Sequence, residues 1–472
     1  MKLNYKRTVL VGMAFFLITA FWQAYDAIIP LILTNHFGLS QTSSGAIMSL
    51  DNVLAVFMLP LFGSISDKVN TKYGRRTPFI IIGSIAAVIT FIVLTVIDNY
   101  QIAALISNEI PSTVQGSMTD VEYNTHLAQL TLELTKQNPL PLIGFIATLL
   151  VLLIAMATFR SPAVALMPDV TVKPLRSKGN AVINLLGAIG GIIILALGIV
   201  FGTSKNLYMQ YTPYVIAVCA VMLVGLIVFI IGVKEKKWAA EASMQAKILD
   251  TDTSENTESA QTAKSGGKLS PAMFRSLLLI LASVALWYVG YNSITSKYSV
   301  YATNVLGFDF NLTLMLAQGA AIASYIPVGY ISSKFGRKKM ILAGVLMLGV
   351  AFLLGHFVNT ETPEVVMYPI FALAGIGWAT INVNSFPMVV ELASEGNVGK
   401  YTGYYYTASM TAQIVAPILS GKLYDIFGIN NVFFPFGAVF VALSFVTMLF
   451  VKHGDSKPTE KKSVLEHLDV GD

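Results

Sequence analysis

Two aspartates lie inside long apolar stretches, Asp26 in the first stretch of the sequence and Asp51 in the second. A charged side chain within a membrane span costs about 2.5–3.5 kcal/mol on insertion scales, so such a residue is a functional candidate by default. Both aspartates are expected about 6 Å to the same side of their helix midpoints, at about 1.5 Å per residue. Two carboxylates that face one cavity resist being ionised together, so one of them can bind and release a proton near neutral pH. We expect Asp26 to carry the proton. For Asp51, a position at the water-filled external entrance of the protein is an equal alternative.

An arginine and an asparagine in later apolar stretches are the next candidates. Arg160 is expected about 7 Å to the other side of its span midpoint, and Asn184 falls at a similar depth. A guanidinium presents a planar fork of donors, so Arg160 can bind the hydroxyl groups of a ligand or pair with Asp26. A static partner for a buried acid is the alternative. We interpret Lys297 as a residue whose amine snorkels to the polar end of its span.

Aromatic and amide residues recur together in two stretches, FWQAYD at 21–26 and WYVGYN at 287–292. Small-molecule sites combine apolar and aromatic walls with a few placed polar groups. For any single aromatic residue, helix packing or an interfacial belt is an equal alternative. The candidate binding residues are Trp22, Gln23, Tyr25, Arg160, Asn184, Tyr288, Tyr291, Asn292 and Asn382.

The composition shows what must position these residues. Of the 472 residues, 55% are hydrophobic and only 12% are charged, and the mean hydropathy is +0.67. A soluble protein carries about 25% charged residues, so the composition excludes a soluble enzyme. An apolar stretch of about 20 residues crosses a bilayer core of about 30 Å. The predicted spans are about 8–36, 43–67, 77–97, 141–168, 177–201, 212–233, 272–303, 311–333, 338–358, 364–392, 398–421 and 430–452. The sequence therefore predicts an all-α membrane protein with twelve transmembrane helices.

The breaks between spans predict the orientation and the domains. Lysine and arginine concentrate in alternate breaks and before the first span, which places those breaks and both termini in the cytoplasm. The basic residues are spread over separate loops, which gives no reason to expect nucleic-acid binding. Two stretches, 98–139 and 234–270, are predicted to be non-helical, the second because it is too polar to bury much area. We divide the chain into an N-terminal six-helix bundle (1–233) with a long external loop (98–140), a cytoplasmic linker (234–270), a C-terminal six-helix bundle (271–452) and a cytoplasmic tail (453–472).

The two halves of the sequence repeat each other. An offset of 266 places Trp22 on Tyr288, Asp26 on Asn292 and Gly63 on Gly329. Agreement of aromatic, polar and glycine positions in order is harder to produce by chance than agreement of apolar positions. Parallel repeats of six helices place a substrate site between the halves, near the membrane midplane. The predicted fold is two pseudo-symmetric six-helix bundles.

Loop sequences carry a family resemblance. The stretches GSISDK (63–68), YGRRTPFI (73–80) and GYISSKFGRK (329–338) resemble the loop signatures of the major facilitator superfamily. The longer first version, and SPAVALMPD (161–169) followed by RSKGN (176–180), resemble the sucrose-type glycoside/proton symporters, relatives of the glycoside-pentoside-hexuronide transporters. Val164 stands where that family is expected to carry a basic residue.

These loop signatures predict a gate. Asp67 ends a helix, where it can pair with Arg75, Arg76 or a helix N-terminus and close the inner gap. Glycine permits close helix approach. An interfacial charge cluster that only fixes topology is the alternative. The predicted gate residues are Gly63, Asp67, Arg75, Arg76, Gly329 and Arg337.

The resemblance implies a proton-coupled symporter of a glycoside, a sucrose- or maltose-like disaccharide, that works by alternating access. A sodium-coupled permease of the melibiose type and a non-transporting sugar sensor are the alternatives. An enzyme is not expected, because no metal cluster or nucleophile motif is visible in the sequence. The expected partners are a sugar, a proton and the lipid bilayer, with no cofactor and no metal. We expect a monomer in the cell membrane with both termini in the cytoplasm.

Overall fold

The computed structural model describes residues 3–110, 120–172, 175–254, 270–392 and 398–454, and these are mostly helical. The helices are α1 (Tyr5–Leu31), α2 (Gln41–Met48), α3 (Leu50–Lys68), α4 (Thr77–Ser107), α5 (Asp120–Gln137), α6 (Leu140–Val170), α7 (Arg176–Phe201), α8 (Thr212–Gly232), α9 (Glu235–Ser254), α10 (Pro271–Thr295), α11 (Tyr298–Tyr301), α12 (Phe310–Phe335), α13 (Arg337–His356), α14 (Met367–Val390), α15 (Val398–Phe427) and α16 (Ile429–Leu449). π-Helical turns at Ile32–His36 and Ala302–Leu306 extend α1 and α11.

Within the described residues, eleven helical segments are long and apolar enough to cross a membrane. Helix α15 has 30 residues and is therefore about 45 Å long, at about 1.5 Å per residue. It is not one of the eleven, because tyrosines and other polar side chains in its first half lower its hydropathy. The twelfth span and the grouping into two six-helix bundles stay predictions.

The prediction of a non-helical stretch at 98–139 is wrong for its described part. Helix α4 continues to Ser107, and α5 forms a separate helix. The sequence of α5 is largely polar because only one narrow face of the helix is buried, and that face carries its few apolar residues. Its Leu127 packs against Leu105 in the last turns of α4 and against Ile110, which follows that helix. Residues 111–119 lie outside the described residues.

The prediction of a non-helical linker at 234–270 is wrong for residues 235–254, which form α9. The first two turns of α9 bury Glu235 and Trp238 against the first half of the chain. The guanidinium of Arg7 in α1 lies 5.3 Å from the centroid of the Trp238 ring and forms an ion pair with Glu241. A few specific contacts therefore order a segment whose average composition is too polar to form a core. Residues 255–269 lie outside the described residues.

Most helix packing stays within each half of the chain, α1–α9 or α10–α16. Helix α1 packs on α7 and α8, α4 on α6, α10 on α15 and α16, and α13 on α14. The halves meet where α2 packs on α15 and where α7 packs on α12. At the first of these junctions the backbones are in contact. A Cβ atom added to Gly45 would lie 2.2 Å from the carbonyl oxygen of Pro417, and one added to Gly421 would lie 2.5 Å from that of Gln41.

The two ends of the molecule differ in chemistry. We call the end that holds Arg76 and Asp169 the basic face, and the other end the opposite face. Helix α7 begins at the basic face, and its last turn leads to Thr203 at the opposite face. There the Thr203 hydroxyl accepts a hydrogen bond of 2.9 Å from the Asn311 amide in the first turn of α12. Helices α7 and α12 are therefore antiparallel, and Gly329 near the end of α12 lies at the same face as Gly63, as the repeat predicts.

Candidate functional site

A cavity of about 840 Å³ lies between the two halves. Its wall reaches Pro168, next to Asp169, and therefore extends toward the basic face. The opposite face is closed by the junction of α2 with α15 and by paired amides, since Asn304 Nδ2 donates to Asn35 Oδ1 at 2.6 Å. The cavity therefore extends toward one end of the molecule, and these contacts lie between the two halves at the other end.

Four of the predicted binding residues line this cavity. Arg160 lies on α6 and Asn184 on α7, in the first half of the chain, whereas Tyr288 lies on α10 and Asn382 on α14, in the second half. The sequence therefore selected residues from four helices that the fold brings to one wall. The other five candidates, on α1 and α10, are not part of this wall; they are Trp22, Gln23, Tyr25, Tyr291 and Asn292.

Arg160 connects the cavity wall to the aromatic residues of α1. Its guanidinium carbon lies 5.6 Å from the centroid of the Trp22 ring, within cation–π range. The Trp22 ring packs edge-on against Tyr25, with centroids 5.3 Å apart. Tyr25 is completely buried and its hydroxyl has no described hydrogen-bond partner. Trp22 therefore contacts Arg160 and Tyr25 contacts Trp22, although neither aromatic residue lines the cavity. Val164 adds an apolar surface to the wall.

Asp26 and Asp51, which the sequence predicts at similar depths, influence each other electrostatically. Asp26 is exposed, whereas the adjacent Tyr25 and Ala27 in α1 are buried. The Asp51 carboxylate accepts hydrogen bonds from the Asn52 backbone N–H at 2.5 Å and from the Asn52 amide at 2.7 Å. The two aspartates interact electrostatically, and Arg160 interacts electrostatically with Asp51. One arginine and two acids therefore form a connected charge group.

Trp378 in α14 is a site residue that the sequence analysis missed. Its ring stacks on Tyr291 with a centroid distance of 3.6 Å and an interplanar angle of 4°. Tyr288 packs edge-on against the same tryptophan at 5.2 Å. Asn292, in contrast, donates its amide to the Tyr288 carbonyl oxygen of its own helix at 2.8 Å. The WYVGYN stretch thus supplies one wall residue and an aromatic stack behind it.

Gln318 in α12 is a second missed residue, and it lines the cavity. Its amide oxygen is buried and has no described hydrogen-bond partner. A Cβ atom added to Gly191 in α7 would lie 2.9 Å from the Gln318 amide nitrogen and 3.4 Å from the Gln23 amide oxygen. Amides from both halves therefore converge on one glycine. The repeat offset, which pairs Asn52 with Gln318, is the signal that could have found it.

The predicted gate residues of the first half form a connected cluster at the basic face. Arg76 hydrogen-bonds to Asp67 and to Ser66, and its Nε donates to Asp169 at 2.9 Å. Arg75 Nη2 lies 2.7 Å from the second oxygen of Asp169. A Cβ atom added to Gly63 would lie 3.0 Å from the Ser161 hydroxyl, so a glycine permits the close approach of α3 to α6.

These gate contacts do not bridge the two halves. In the second half, Arg337 forms an ion pair with Glu391. Glu235, which the sequence analysis missed, accepts hydrogen bonds from the backbone N–H groups of Arg75, Arg76 and Thr77. Each of these clusters therefore connects residues of its own half.

Comparison with known proteins agrees with this architecture. A family model described as Major Facilitator Superfamily matches residues 11–330 and 310–468. An uncharacterized MFS-type transporter of Methanocaldococcus jannaschii is 21% identical over 452 residues, which cover 94% of this chain and 95% of the relative. The sucrose transport protein SUC3 of Arabidopsis thaliana is 30% identical over 169 residues, which cover 36% of this chain and 25% of that protein. The inward open structure of the xylose transporter XylE from E. coli covers 98% of both chains with a TM-score of 0.62 and 13% identity, which shows the fold alone.

Proposed function

The chain belongs to the major facilitator superfamily of multi-pass membrane transporters, and from this premise we propose that it is a proton-coupled symporter of a glycoside. The proposed substrate is a sucrose- or maltose-like disaccharide, and the proposed mechanism is alternating access. One observation supports the proposal: a cavity lined by amide and hydroxyl groups from both halves also contains the Arg160 guanidinium, which interacts electrostatically with Asp51.

The sugar is proposed to bind in the 840 Å³ cavity. Ligand pockets for drug-sized molecules measure about 300–1,000 Å³, so a disaccharide is of a suitable size. Asn184, Asn382 and Gln318 are proposed to exchange hydrogen bonds with its hydroxyl groups, and the Arg160 fork is proposed to donate to two neighbouring oxygens. The partial similarity to a sucrose transport protein supports this substrate class.

The coupling site is proposed to be Asp26, with Asp51 and Arg160 as its electrostatic partners. An ionised Asp26 repels Asp51, and protonation of Asp26 removes that repulsion. Arg160 interacts with Asp51 and also lines the sugar cavity, so binding of sugar to the guanidinium changes the charge balance of the acids. This shared arginine is the proposed link between the proton and the sugar.

Sodium coupling is the competing mechanism, and the surroundings of the acids favour a proton. Sodium prefers several oxygens that converge on one point, whereas a proton needs one carboxylate. Two further acids of the first half, Asp67 and Asp169, form ion pairs with arginines at the basic face. They are therefore not placed to complete an ion site around Asp26.

The basic face is proposed to be cytoplasmic, with both termini on that side of the cell membrane. Lysine and arginine are retained in cytoplasmic loops, and the predicted inner-gate clusters lie at this face. The conformation in which the opposite face is closed is then inward-facing. We propose that the chain works as a monomer.

Uptake into proteoliposomes tests this proposal. Labelled mono- and disaccharides are offered with proton and sodium gradients imposed separately. We expect proton-driven accumulation of a disaccharide that is indifferent to replacement of sodium by potassium. Asp26→Asn should abolish accumulation against a gradient and leave some exchange of internal for external sugar, because exchange needs only a site that can reorient. Glu361→Gln, an exposed acid in a loop, is the matched control.

Two results would contradict parts of the proposal. Accumulation by Asp26→Asn against a gradient would show that Asp26 is not the coupling acid. A sodium-dependent shift of the apparent sugar affinity at fixed pH would favour the melibiose-type mechanism.

A further inference from the structure

A lysine is completely buried where the two halves meet at the opposite face. Lys297 follows α10 in the second half, and its side chain is 0% exposed. Its ammonium donates a hydrogen bond to the Ser44 hydroxyl in α2, which belongs to the first half. The interpretation of Lys297 as a snorkelling residue is therefore wrong, since the amine points into the junction between α2 and the second half.

A carboxylate at the same junction binds α2 more extensively. Asp425, near the end of α15, accepts hydrogen bonds from the backbone N–H groups of Gln41 at 2.7 Å and Thr42 at 2.8 Å. It also accepts one from the Thr42 hydroxyl at 2.5 Å. These donors form the N-terminus of α2, where unpaired N–H groups and the helix dipole favour a negative charge. Asp425 also interacts electrostatically with Lys297.

Lys297 and Asp425 belong to the same half and are held together there. The Tyr424 hydroxyl, next to Asp425, donates to the Ser293 carbonyl oxygen in α10 at 3.2 Å. If the halves separate at the opposite face, α2 moves with the first half, while the Tyr424–Ser293 hydrogen bond keeps α10 and α15 together. Asp425 then loses three donors, and Lys297 loses Ser44 and gains access to water.

We propose that these two charges act in opposite directions on one gate of the transport cycle. Asp425 holds the opposite face closed, because its three hydrogen bonds to α2 exist only in the closed state. Lys297 favours opening, because closure removes water from its ammonium and replaces that water with a single hydrogen-bond acceptor, the Ser44 hydroxyl. In the open state, Asp425 is released from α2 and the Lys297 ammonium regains water. A simple latch would instead require both residues to favour closure.

Cysteine accessibility distinguishes these two possibilities. The background is Cys219→Ser, which removes the sole cysteine of the chain, combined with Asn35→Cys. Residue 35 lies at the opposite-face junction, where its amide pairs with Asn304. Labelling by a bulky maleimide is timed on purified protein in lipid nanodiscs, without sugar and without any ion gradient.

We expect the two substitutions to change the labelling rate in opposite directions. Asp425→Asn should raise it at least tenfold, because it weakens the cap on α2 and leaves the Lys297 charge without compensation in the closed state. Lys297→Met should lower it at least threefold. Glu361→Gln and Lys422→Met replace exposed charges, the second within one turn of Asp425, and should stay within twofold of the background.

Three results would overturn the proposal. Faster labelling of both variants would identify a simple latch, and unchanged labelling of both would show that these charges do not control the gate. Slower labelling of Asp425→Asn would reverse its assigned role. If Lys297→Met does not yield monodisperse protein, Lys297→Gln tests the same loss of charge. The proposal rests on alternating access but not on the substrate or the coupling ion, so its failure is distinguishable from failure of the symport proposal.

Discussion

Replacement of Glu235 by glutamine is predicted to detach α9 from the first half of the protein. The Glu235 side chain belongs to a residue that is only 2% exposed, and each of its oxygens accepts at least two hydrogen bonds. Oε1 accepts from the N–H groups of Arg75 at 2.7 Å and Arg76 at 2.9 Å. Oε2 accepts from the N–H of Thr77 at 2.8 Å and from its hydroxyl at 2.7 Å. In either orientation, the amide of Glu235→Gln places an NH₂ group against two donors. At about 1–3 kcal/mol for each unsatisfied buried group, the docking weakens by about 2–6 kcal/mol.

Hydrogen exchange of the α9 amides measures this loss directly. A loss of about 2 kcal/mol corresponds to roughly thirtyfold faster exchange, at about 1.4 kcal/mol per factor of ten. Glu241→Gln is the matched control on the same helix, because the Glu241–Arg7 ion pair is more than a third exposed and such pairs contribute about 0–1 kcal/mol. Equal effects of the two substitutions, or no effect of Glu235→Gln, would refute the assignment of Glu235 as the anchor of α9.

Three further predictions concern the transport site and the gate. Arg160→Lys keeps the charge but loses the planar fork over Trp22, so the half-saturating sugar concentration in uptake assays should rise about tenfold; an unchanged value would place Arg160 outside the sugar site. Gly45→Ala should force α2 and α15 apart by about 1 Å, since van der Waals contact requires about 3.5 Å, and should raise labelling at the opposite face. Gly349→Ala, whose added Cβ would have its nearest neighbour at 3.5 Å, should leave that labelling unchanged. Uptake at fixed membrane potential should fall as external pH rises, because less of the coupling carboxyl is then protonated; a pH-independent rate would contradict proton coupling.

The sequence was sufficient where a signal is local or repeated. Apolar runs long enough for a bilayer predicted the spans, because backbone groups in lipid must be satisfied within each helix. The pairing of Arg76 with Asp67 was predictable, since only a short loop separates them in the chain. The repeat placed Gly63 and Gly329 at one face without any knowledge of packing.

The rest depends on contacts between residues that are distant in the chain. Glu235 reads as one charge in a polar run, and only its backbone donors 158–160 residues away make it an anchor. Lys297 lies near the end of an apolar stretch, where a snorkelling amine is the ordinary expectation; burial against Ser44 is decided by how the halves meet. Trp378 lies in an apolar span, and its role follows from its stack on Tyr291 in another helix. Periodicity and composition contain no information on these pairings.

The backbone contact at Gly45 and Gly421 joins the two halves near one end of the molecule, and long helices extend from it toward the other end. The α12 helix has 26 residues and is about 39 Å long, at about 1.5 Å per residue. A rotation of one half by a single degree about a contact at one end moves the far end by about 0.7 Å, from the same helix length. While this contact keeps the opposite face closed, a tilt of about ten degrees about it thus displaces the basic-face ends by about 7 Å. The absence of a side chain at Gly45 and Gly421 therefore permits the close approach of α2 to α15, and a small shift caused by an added methyl group there would be enlarged at the basic face.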